Sequence, residues 1–269
     1  PDAESWCFKS DGTKLYILAK SNTPNGVIEY DLSSAWDITT YSLAGGGLAG
    51  NTFDYSNQMT GASNIEMNST GTKFYIYTRA STISGASIAL VEYDMTTPWD
   101  ITTGTYNGKF LNLGSLGFTS AERISFRLEN NNKFFIKGPN SNHSGNDVIF
   151  QFTIPDVVPD TDISDATLDG SAPAGLFSAI SNNYDSSKWA TFGNNGTLLY
   201  LPNDNSSSNE VASFNLNPAY DITTANQNTN VMNYLVYVNN DGLMFNPDGT
   251  KLITFEVSGD PSIKQYDLN

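Results

Sequence analysis

Cysteine is nearly missing from this chain: Cys7 stands alone among 269 residues. One thiol excludes an internal disulfide framework and a cysteine-based zinc site. Beside Phe8 in an apolar stretch, Cys7 reads as a small buried residue. Histidine is equally scarce. His143 is the single copy, so a multi-histidine metal site is excluded, and a Ser-His-Asp triad would have to be built on it. It lies in the polar loop Gly138-Pro-Asn-Ser-Asn-His-Ser-Gly145, away from any carboxylate cluster, and reads as an exposed loop residue. Positive charge is short as well: 13 Lys and Arg against 28 Asp and Glu give a net charge of −15. An acidic surface repels phosphate backbones, which argues against nucleic acid or anionic lipid as a partner. No apolar run approaches the ~20 residues of a membrane-spanning helix, so membrane insertion is not expected. P-loop, dinucleotide and zinc signatures are also lacking.

What is present is a repeat. Phe8-Lys-Ser-Asp-Gly-Thr-Lys-Leu-Tyr16 returns as Met67-Asn-Ser-Thr-Gly-Thr-Lys-Phe-Tyr75, Phe192-Gly-Asn-Asn-Gly-Thr-Leu-Leu-Tyr200 and Phe245-Asn-Pro-Asp-Gly-Thr-Lys-Leu-Ile253. A degraded copy spans Phe126 to Phe135, with Asn130-Asn131-Asn132 in place of the turn. The markers Gly12, Gly71, Asn131, Gly196 and Gly249 are 59, 60, 65 and 53 residues apart. A second segment follows each: Val27-Ile-Glu-Tyr-Asp-Leu32, Leu90-Val-Glu-Tyr-Asp-Met95, Ile149-Phe-Gln-Phe-Thr-Ile154, Val211-Ala-Ser-Phe-Asn-Leu216 and Ile263-Lys-Gln-Tyr-Asp-Leu268. A third follows in four copies, at Trp36-Asp-Ile-Thr-Thr40, Trp99-Asp-Ile-Thr-Thr103, Tyr220-Asp-Ile-Thr-Thr224 and, weakly, Thr161-Asp-Ile-Ser164. Three ordered segments recurring in register exceed what chance supplies.

Each marker glycine supplies the positive φ of a hairpin, and Asn131 is the residue that best tolerates it. The run after the turn, such as Leu15-Tyr-Ile-Leu18 or Phe74-Tyr-Ile-Tyr77, is apolar at nearly every position, as a strand covered on both faces must be. The next strand alternates. Tyr30, Tyr93, Phe152, Phe214 and Tyr266 take one face, and Glu29, Glu92, Gln151, Ser213 and Gln265 the other. The Asp after the aromatic closes an Asx turn that leads into an outer strand such as Thr40 to Leu43, while Trp36, Trp99 and Tyr220 are expected to fill the seam between blades. With ~54 residues per copy, the expectation is one all-β domain over residues 1–269. It is a five-bladed β-propeller of four-stranded antiparallel blades with repeats near 1–50, 51–112, 113–175, 176–230 and 231–269. The chain starts at Pro1, and its fifth copy stops at Asn269 before a third segment. The expectation is therefore a longer natural polypeptide, or a last blade completed from outside.

The Phe-x-x-Asp-Gly-Thr-Lys-Leu-Tyr unit resembles the strand-turn-strand of many propeller families, the lactonase-like and TolB-like ones included. The narrower combination of Glu-Tyr-Asp-Leu-Ser with Ala-Trp-Asp-Ile-Thr-Thr is carried best by residues 29–40 and 92–103. It resembles repeats of bacteriophage structural proteins, marine phages especially, and of some bacterial surface proteins. That resemblance implies a virion or extracellular component and no catalytic residues.

Carboxylates deserve separate weighing, because some five-bladed propellers are glycosidases that aim acids into a central channel. Glu66 and Glu4 are the inner-strand candidates, but Cys7, Thr191 and Met244 hold the corresponding positions elsewhere. Asp11, Asp248, Asp37, Asp100 and Asp221 fall at turns and are assigned to turn chemistry. No cofactor is expected; calcium is the one left open, with oxygens from Pro202–Glu210. The sequons at Asn68, Asn142, Asn195 and Asn205 are of the frequency that so Asn-rich a chain produces. Non-repeating loops (20–26, 78–87, 137–147, 202–210 and 256–262) are where binding is expected. The function expected is a non-enzymatic phage tail, fibre or capsid-decoration module, or a surface module, meeting other virion or surface proteins or a host glycan. A secreted lectin-like propeller is the alternative, and a glycosidase or lactonase the third reading.

Overall fold

The Asp-Gly and Asn-Gly turns do reverse the chain, and the reversals generate a succession of antiparallel sheets. A computed structural model describes the chain except residues 1, 21–24, 44–46, 48–49, 120–124, 130–132, 144–146, 155–161, 172–190, 194, 203–209, 234–239, 247–249, 257–261 and 268–269. Gly12 closes its turn with an N–H bond to the Lys9 carbonyl (2.8 Å), and the Lys9 N–H reaches the Lys14 carbonyl (3.0 Å). The hairpin is therefore a four-residue loop, Ser10 to Thr13, with a left-handed glycine third, longer than a two-residue turn. Gly12, Gly71 and Gly196 have φ of 74°, 68° and 80°. Asn131 and Gly249 lie outside the described residues.

The strands are β1 (Asp2–Phe8), β2 (Lys14–Lys20), β3 (Gly26–Leu32), β4 (Tyr41–Leu43) and β5 (Thr52–Phe53) in the first sheet. The second holds β6 (Ala62–Met67), β7 (Lys73–Thr78), β8 (Ala89–Met95) and β9 (Gly104–Asn112). The third holds β10 (Ser125–Glu129), β11 (Lys133–Pro139), β12 (Asp147–Thr153) and β13 (Thr167–Ser171), and the fourth β14 (Thr191–Gly193), β15 (Leu198–Pro202), β16 (Glu210–Asn215) and β17 (Asn226–Asn233). The fifth has β18 (Asn240–Phe245), β19 (Lys251–Glu256) and β20 (Ser262–Asp267). Each runs in chain order, except that β5 returns to pair antiparallel with β3 beside β4.

The residues group into two compact units. The first comprises 1–122, 130–132 and 154–167, the second 123–129, 133–153 and 168–269. In the first, the core lies between two sheets. Cys7, Tyr16, Leu18 and Val27 meet Ile65, Met67, Phe74, Ile76, Val91 and Tyr93. The hydroxyl of buried Ser5 accepts from Asn64 Nδ2 and Ile65 N, both at 3.2 Å, and pins the two inner strands together. All six residues of β7 are buried, as an apolar run with both faces covered requires. In the second unit Phe135 and Ile149 pack against Leu199, Leu201, Ala212 and Phe214, and Tyr200 meets Phe245 at 5.0 Å. The third-strand aromatics Tyr93, Phe152 and Phe214 are at most 1 % exposed; Tyr30 and Tyr266 are half-buried.

Candidate functional site

The segment aromatic-Asp-Ile-Thr is short, polar at its middle and repeated, and its three leading residues do three different things. The aromatic folds back onto the hairpin of its own repeat. Trp36 N–H donates to the Gly12 carbonyl (2.9 Å), Trp99 N–H to that of Gly71 (2.8 Å) and Tyr220 N–H to that of Gly196 (2.8 Å). To bring the ring over the turn, Trp36, Trp99 and Tyr220 take φ of 60°, 65° and 59°. That conformation costs a side-chain-bearing residue about 1–2 kcal/mol, and the backbone bond and ring stacking offset it. The rings lie so close that a Cβ on Gly12, Gly71 or Gly196 would stand 2.4, 2.2 or 2.3 Å from them. Hence a marker roofed by an aromatic must be glycine for two reasons, its φ and the ring above it. Phe8 and Phe192 extend the stack, at 5.2 Å from Trp36 and 5.5 Å from Tyr220. These aromatics thus roof their own turns; Trp99 and Tyr220 also pack against buried clusters drawn from successive sheets, and Trp99 receives Tyr16 Oη at its carbonyl (2.8 Å) from the preceding repeat.

The aspartate closes the next turn. Asp37, Asp100, Asp162 and Asp221 each accept through Oδ1 from the backbone N–H two residues on, at 3.0, 3.1, 3.0 and 3.0 Å. Each also takes the hydroxyl of that residue at 2.6 Å. This is N-capping of a single 3₁₀ turn, and it holds these acids as acceptors.

The isoleucine reaches backward to the previous repeat. Ile101 N–H donates to Glu29 Oε2 (2.9 Å), Ile163 N–H to Glu92 Oε2 (2.9 Å) and Ile222 N–H to Gln151 Oε1 (3.0 Å). The three isoleucines are fully buried, and Glu29, Glu92 and Gln151 are 4 %, 0 % and 3 % exposed. A buried backbone N–H at a sheet boundary would otherwise lack a partner. The polar face of the third strand is therefore a row of latches between successive repeats.

The second oxygen of each latch is held by the lysine after the turn. Lys14 Nζ lies 2.5 Å from Glu29 Oε1 and 2.7 Å from Asp31; Lys73 Nζ lies 2.7 Å from both Glu92 Oε1 and Asp94. Asn107 Nδ2 also donates to Glu92 Oε1 (2.6 Å). Burial alone would push the Lys73 ammonium down, but hydrogen bonds to Asp94 and Glu92 outweigh it and hold the pKa above the ordinary lysine value. The third repeat uses a neutral amide and recruits Asp169 from β13, which takes Lys133 (2.9 Å) and Gln151 Nε2 (3.0 Å). In the fifth, Lys251 pairs with Asp267 at 2.9 Å. In the fourth, Leu198 replaces the lysine and Ser213 the glutamate.

The remaining sequence candidates are scattered. Cys7 is buried in the core. Glu66 is buried opposite Tyr75 in the ladder, and Glu4 pairs with Lys20 at 3.2 Å. Among the described residues no three His, Cys, Asp or Glu are gathered as a metal site. His143 ends the 3₁₀ turn Ser141–His143. Most of the calcium candidate Pro202–Glu210 lies outside the described residues, with Asn205. Asn68 is buried, and its Oδ1 accepts from Thr72 N (3.0 Å) and Lys73 N (3.1 Å), so that sequon is a turn brace. Asn246 Oδ1 accepts from Lys251 N in the same way (2.7 Å). Asn142 and Asn195 are exposed.

One of the non-repeating loops, 78–87, is described throughout. It is tied down: Thr60 N–H reaches the Ala80 carbonyl (3.0 Å), Thr82 N–H that of Gln58 (2.9 Å) and Ser81 N–H that of Ser87 (3.0 Å). Ile83 packs on the core, while Ser81, Ile83, Ser84 and Gly85 keep partial or full exposure. The other four loops fall partly outside the described residues.

No protein-family model matches the chain, and no curated protein matches it. Several solved structures are similar in fold. A proposed 6-phosphogluconolactonase from Bacteroides uniformis is 14 % identical with a TM-score of 0.52, covering 100 % of this chain and 68 % of its own. A proposed TolB from Agrobacterium tumefaciens is 12 % identical with a TM-score of 0.51, covering 98 % and 76 %. The β-propeller domain of Cps50 (Swd1) from Myceliophteria thermophila is 10 % identical with a TM-score of 0.50, covering 99 % and 96 %.

Proposed function

We propose that this chain, all-β, built of several antiparallel sheets and with propeller-like structural neighbours, forms a five-bladed propeller. It serves as a non-enzymatic scaffold of a virion or an extracellular surface, one loop face meeting a partner protein or a glycan. One observation carries the reading: the charged groups of the repeat are committed to holding repeats together. Glu29 and Glu92 latch buried N–H groups, Lys14 and Lys73 brace them, and Asp37, Asp100, Asp162 and Asp221 cap turns. Burial works upward on Asp11, Asp162 and Asp169, but hydrogen bonds from neighbouring Lys, Ser, Thr and Gln groups outweigh it and lower all three, as acids serving as acceptors. A rigid frame with non-repeating loops is the arrangement that binding proteins favour.

The test pairs a glycan array with a panel of lactone and glycoside substrates. The expected result is saturable binding, to a glycan or to a virion or surface protein, that is lost when residues 81–86 are exchanged for a Gly-Ser stretch, with no turnover. Turnover abolished by Glu66→Gln or Glu4→Gln would overturn the reading. A crystal structure showing a blade number other than five would overturn the ring.

A further inference from the structure

Three Asn-Gly pairs occur in the chain, Asn25-Gly26, Asn107-Gly108 and Asn195-Gly196. At such a pair the glycine nitrogen is open to attack the asparagine's amide carbon, because no side chain on the glycine shields it. The backbone treats the three differently. Gly26 pairs with Ala19 in the ladder, and a Cβ on it would stand 2.5 Å from the Phe53 carbonyl oxygen. The Gly196 N–H is spent on the Gly193 carbonyl (3.0 Å). Gly108 stands outside the ladder pairs. These pass from Val91–Phe110 to Tyr93–Tyr106, so Asn107, Gly108 and Lys109 bulge out opposite Glu92. Gly108 is exposed, takes φ of 88° and has open space where a Cβ would stand.

The Asn107 amide is held in a suggestive way. Its Oδ1 accepts from the Lys109 N–H (3.0 Å), a donor placed where negative charge develops on that oxygen when Cγ is attacked. Its Nδ2 donates to Glu92 Oε1 (2.6 Å) and Asp94 Oδ1 (3.1 Å). The third repeat shows what the position tolerates. Asp169 stands there in place of Asn107, and Gln151 and Thr153 in place of Glu92 and Asp94. Asp169 accepts from Gln151 Nε2 (3.0 Å), Thr153 Oγ1 (2.7 Å) and Lys133 Nζ (2.9 Å). In these two repeats the outer strand is acidic where the third strand is neutral, and carries an amide where the third strand is acidic.

We propose that Asn107 is a site of spontaneous deamidation, and that its product loosens the contact between the second and third repeats. The Gly108 nitrogen bonds to Asn107 Cγ and gives its proton to water. The Cγ–Nδ2 bond breaks, and Nδ2 takes up a proton and leaves as ammonia. Water then opens the cyclic imide at either carbonyl, giving aspartate or isoaspartate; nothing is oxidised or reduced. Either product sets a further carboxylate against Glu92 and Asp94 and turns a donor to Glu92 Oε1 into an acceptor, and like charges so placed repel. Glu92 holds the Ile163 N–H (2.9 Å), and Lys109 of the same bulge reaches Asp162 (2.7 Å). Two contacts with the third repeat thus depend on a bulge that gains negative charge. The rival is protection: the two carboxylates anchor Nδ2 so firmly that Cγ is never presented to the Gly108 nitrogen.

The experiment holds the whole chain in mildly alkaline buffer made with heavy-oxygen water and follows its tryptic peptides by mass spectrometry. The expected result is an acid at position 107, carrying heavy oxygen and resolved into two isomers, that accumulates ahead of any at Asn25 or Asn195. Asn107→Gln, whose longer side chain disfavours the ring, should show none. Amide exchange at Ile163 should quicken as the acid accumulates. In Asn107→Asp it should be about tenfold faster from the start, the effect of an added like charge beside the latch. If that variant does not fold, the aged wild-type chain decides alone. An Asn107 that outlasts Asn25 or Asn195, or stays an amide throughout, overturns the site. Conversion that leaves exchange at Ile163 unchanged overturns the loosening.

Discussion

Replacing Glu92 by alanine removes an acceptor that three donors share and strands one of them, the Ile163 N–H, because Lys73 and Asn107 also reach Asp94. Lys73 Nζ, Asn107 Nδ2 and Ile163 N–H all end on its two oxygens, at 2.7, 2.6 and 2.9 Å. The side chains of Glu92 and Lys73 are 0 % and 6 % exposed, so water does not replace what is lost. Breaking a buried pair by deleting one partner costs about 3–5 kcal/mol. The orphaned Ile163 N–H accounts for about 1–3 kcal/mol within that figure. Asp94 still holds Lys73 at 2.7 Å and is 45 % exposed, which places the expectation at the lower end, about 3 kcal/mol. Glu92→Gln keeps an oxygen for Ile163, as Gln151 does for Ile222, and should cost about 1–2 kcal/mol. Denaturant titration gives the total, and amide exchange at Ile163 gives the local term. Exchange at Ile163 should accelerate strongly in the alanine variant and little in the glutamine variant. A loss below about 1 kcal/mol for Glu92→Ala, on the scale of an exposed ion pair, would refute the latch. So would equal exchange rates at Ile163 in the two variants.

Gly71→Ala puts a Cβ into the Trp99 ring at φ 68°; a destabilisation of about 2–4 kcal/mol is expected by denaturant titration, from left-handed strain and overpacking together. Gly71→Asn with Trp99→Thr, which reproduces the pairing of the third repeat, should cost clearly less than the sum of the two single changes in a double-mutant cycle. Asp100→Ala should cost about 0.5–2 kcal/mol, the loss of a cap, and leave the neighbouring Glu29–Ile101 bond in place. At acid pH the sign follows from depressed carboxyls. For Asp11, burial works upward but hydrogen bonds from Lys9 and Thr13 bring it down to about 2, and Asp162 and Asp169 are also lowered. The stability they contribute is complete above the ordinary 3.8 and is lost as pH falls from there toward about 2. Lys73 acts in the opposite sense: its contribution is complete below 10.5 and fades as pH rises beyond it. A stability profile between pH 2 and 11 checks both limbs.

The scaffold was largely legible from local pattern. Hairpin glycines, apolar second strands (buried at every position in β7) and Asx-capped turns all express themselves within about ten residues, where periodicity and turn chemistry operate. The latch was not. Glu29 and Glu92 alternate with tyrosines as a solvated face would, and their partners Ile101 and Ile163 lie 72 and 71 residues on. A carboxylate's burial depends on a neighbour that a local pattern does not contain. A signal did exist in the failures of the repeat. The fourth copy loses lysine and glutamate together, at Leu198 and Ser213, and the third loses glycine and aromatic together, at Asn131 and Thr161. Paired losses mark paired functions, and comparing copies for joint departures would have found both contacts.

The backward reach of the isoleucines bears on how the molecule is made. Glu29 is synthesised 72 residues before the N–H that satisfies it. At ~5–20 residues per second that is a wait of roughly 4–14 s, during which Lys14 can hold one oxygen of the carboxylate while the other awaits the Ile101 N–H. A newly made repeat is therefore provisional on the ribosome, and it becomes permanent only when its successor emerges. Pauses in translation placed after a third strand would lengthen that wait, and pauses after an Asp-Ile-Thr segment would come once the contact has been made.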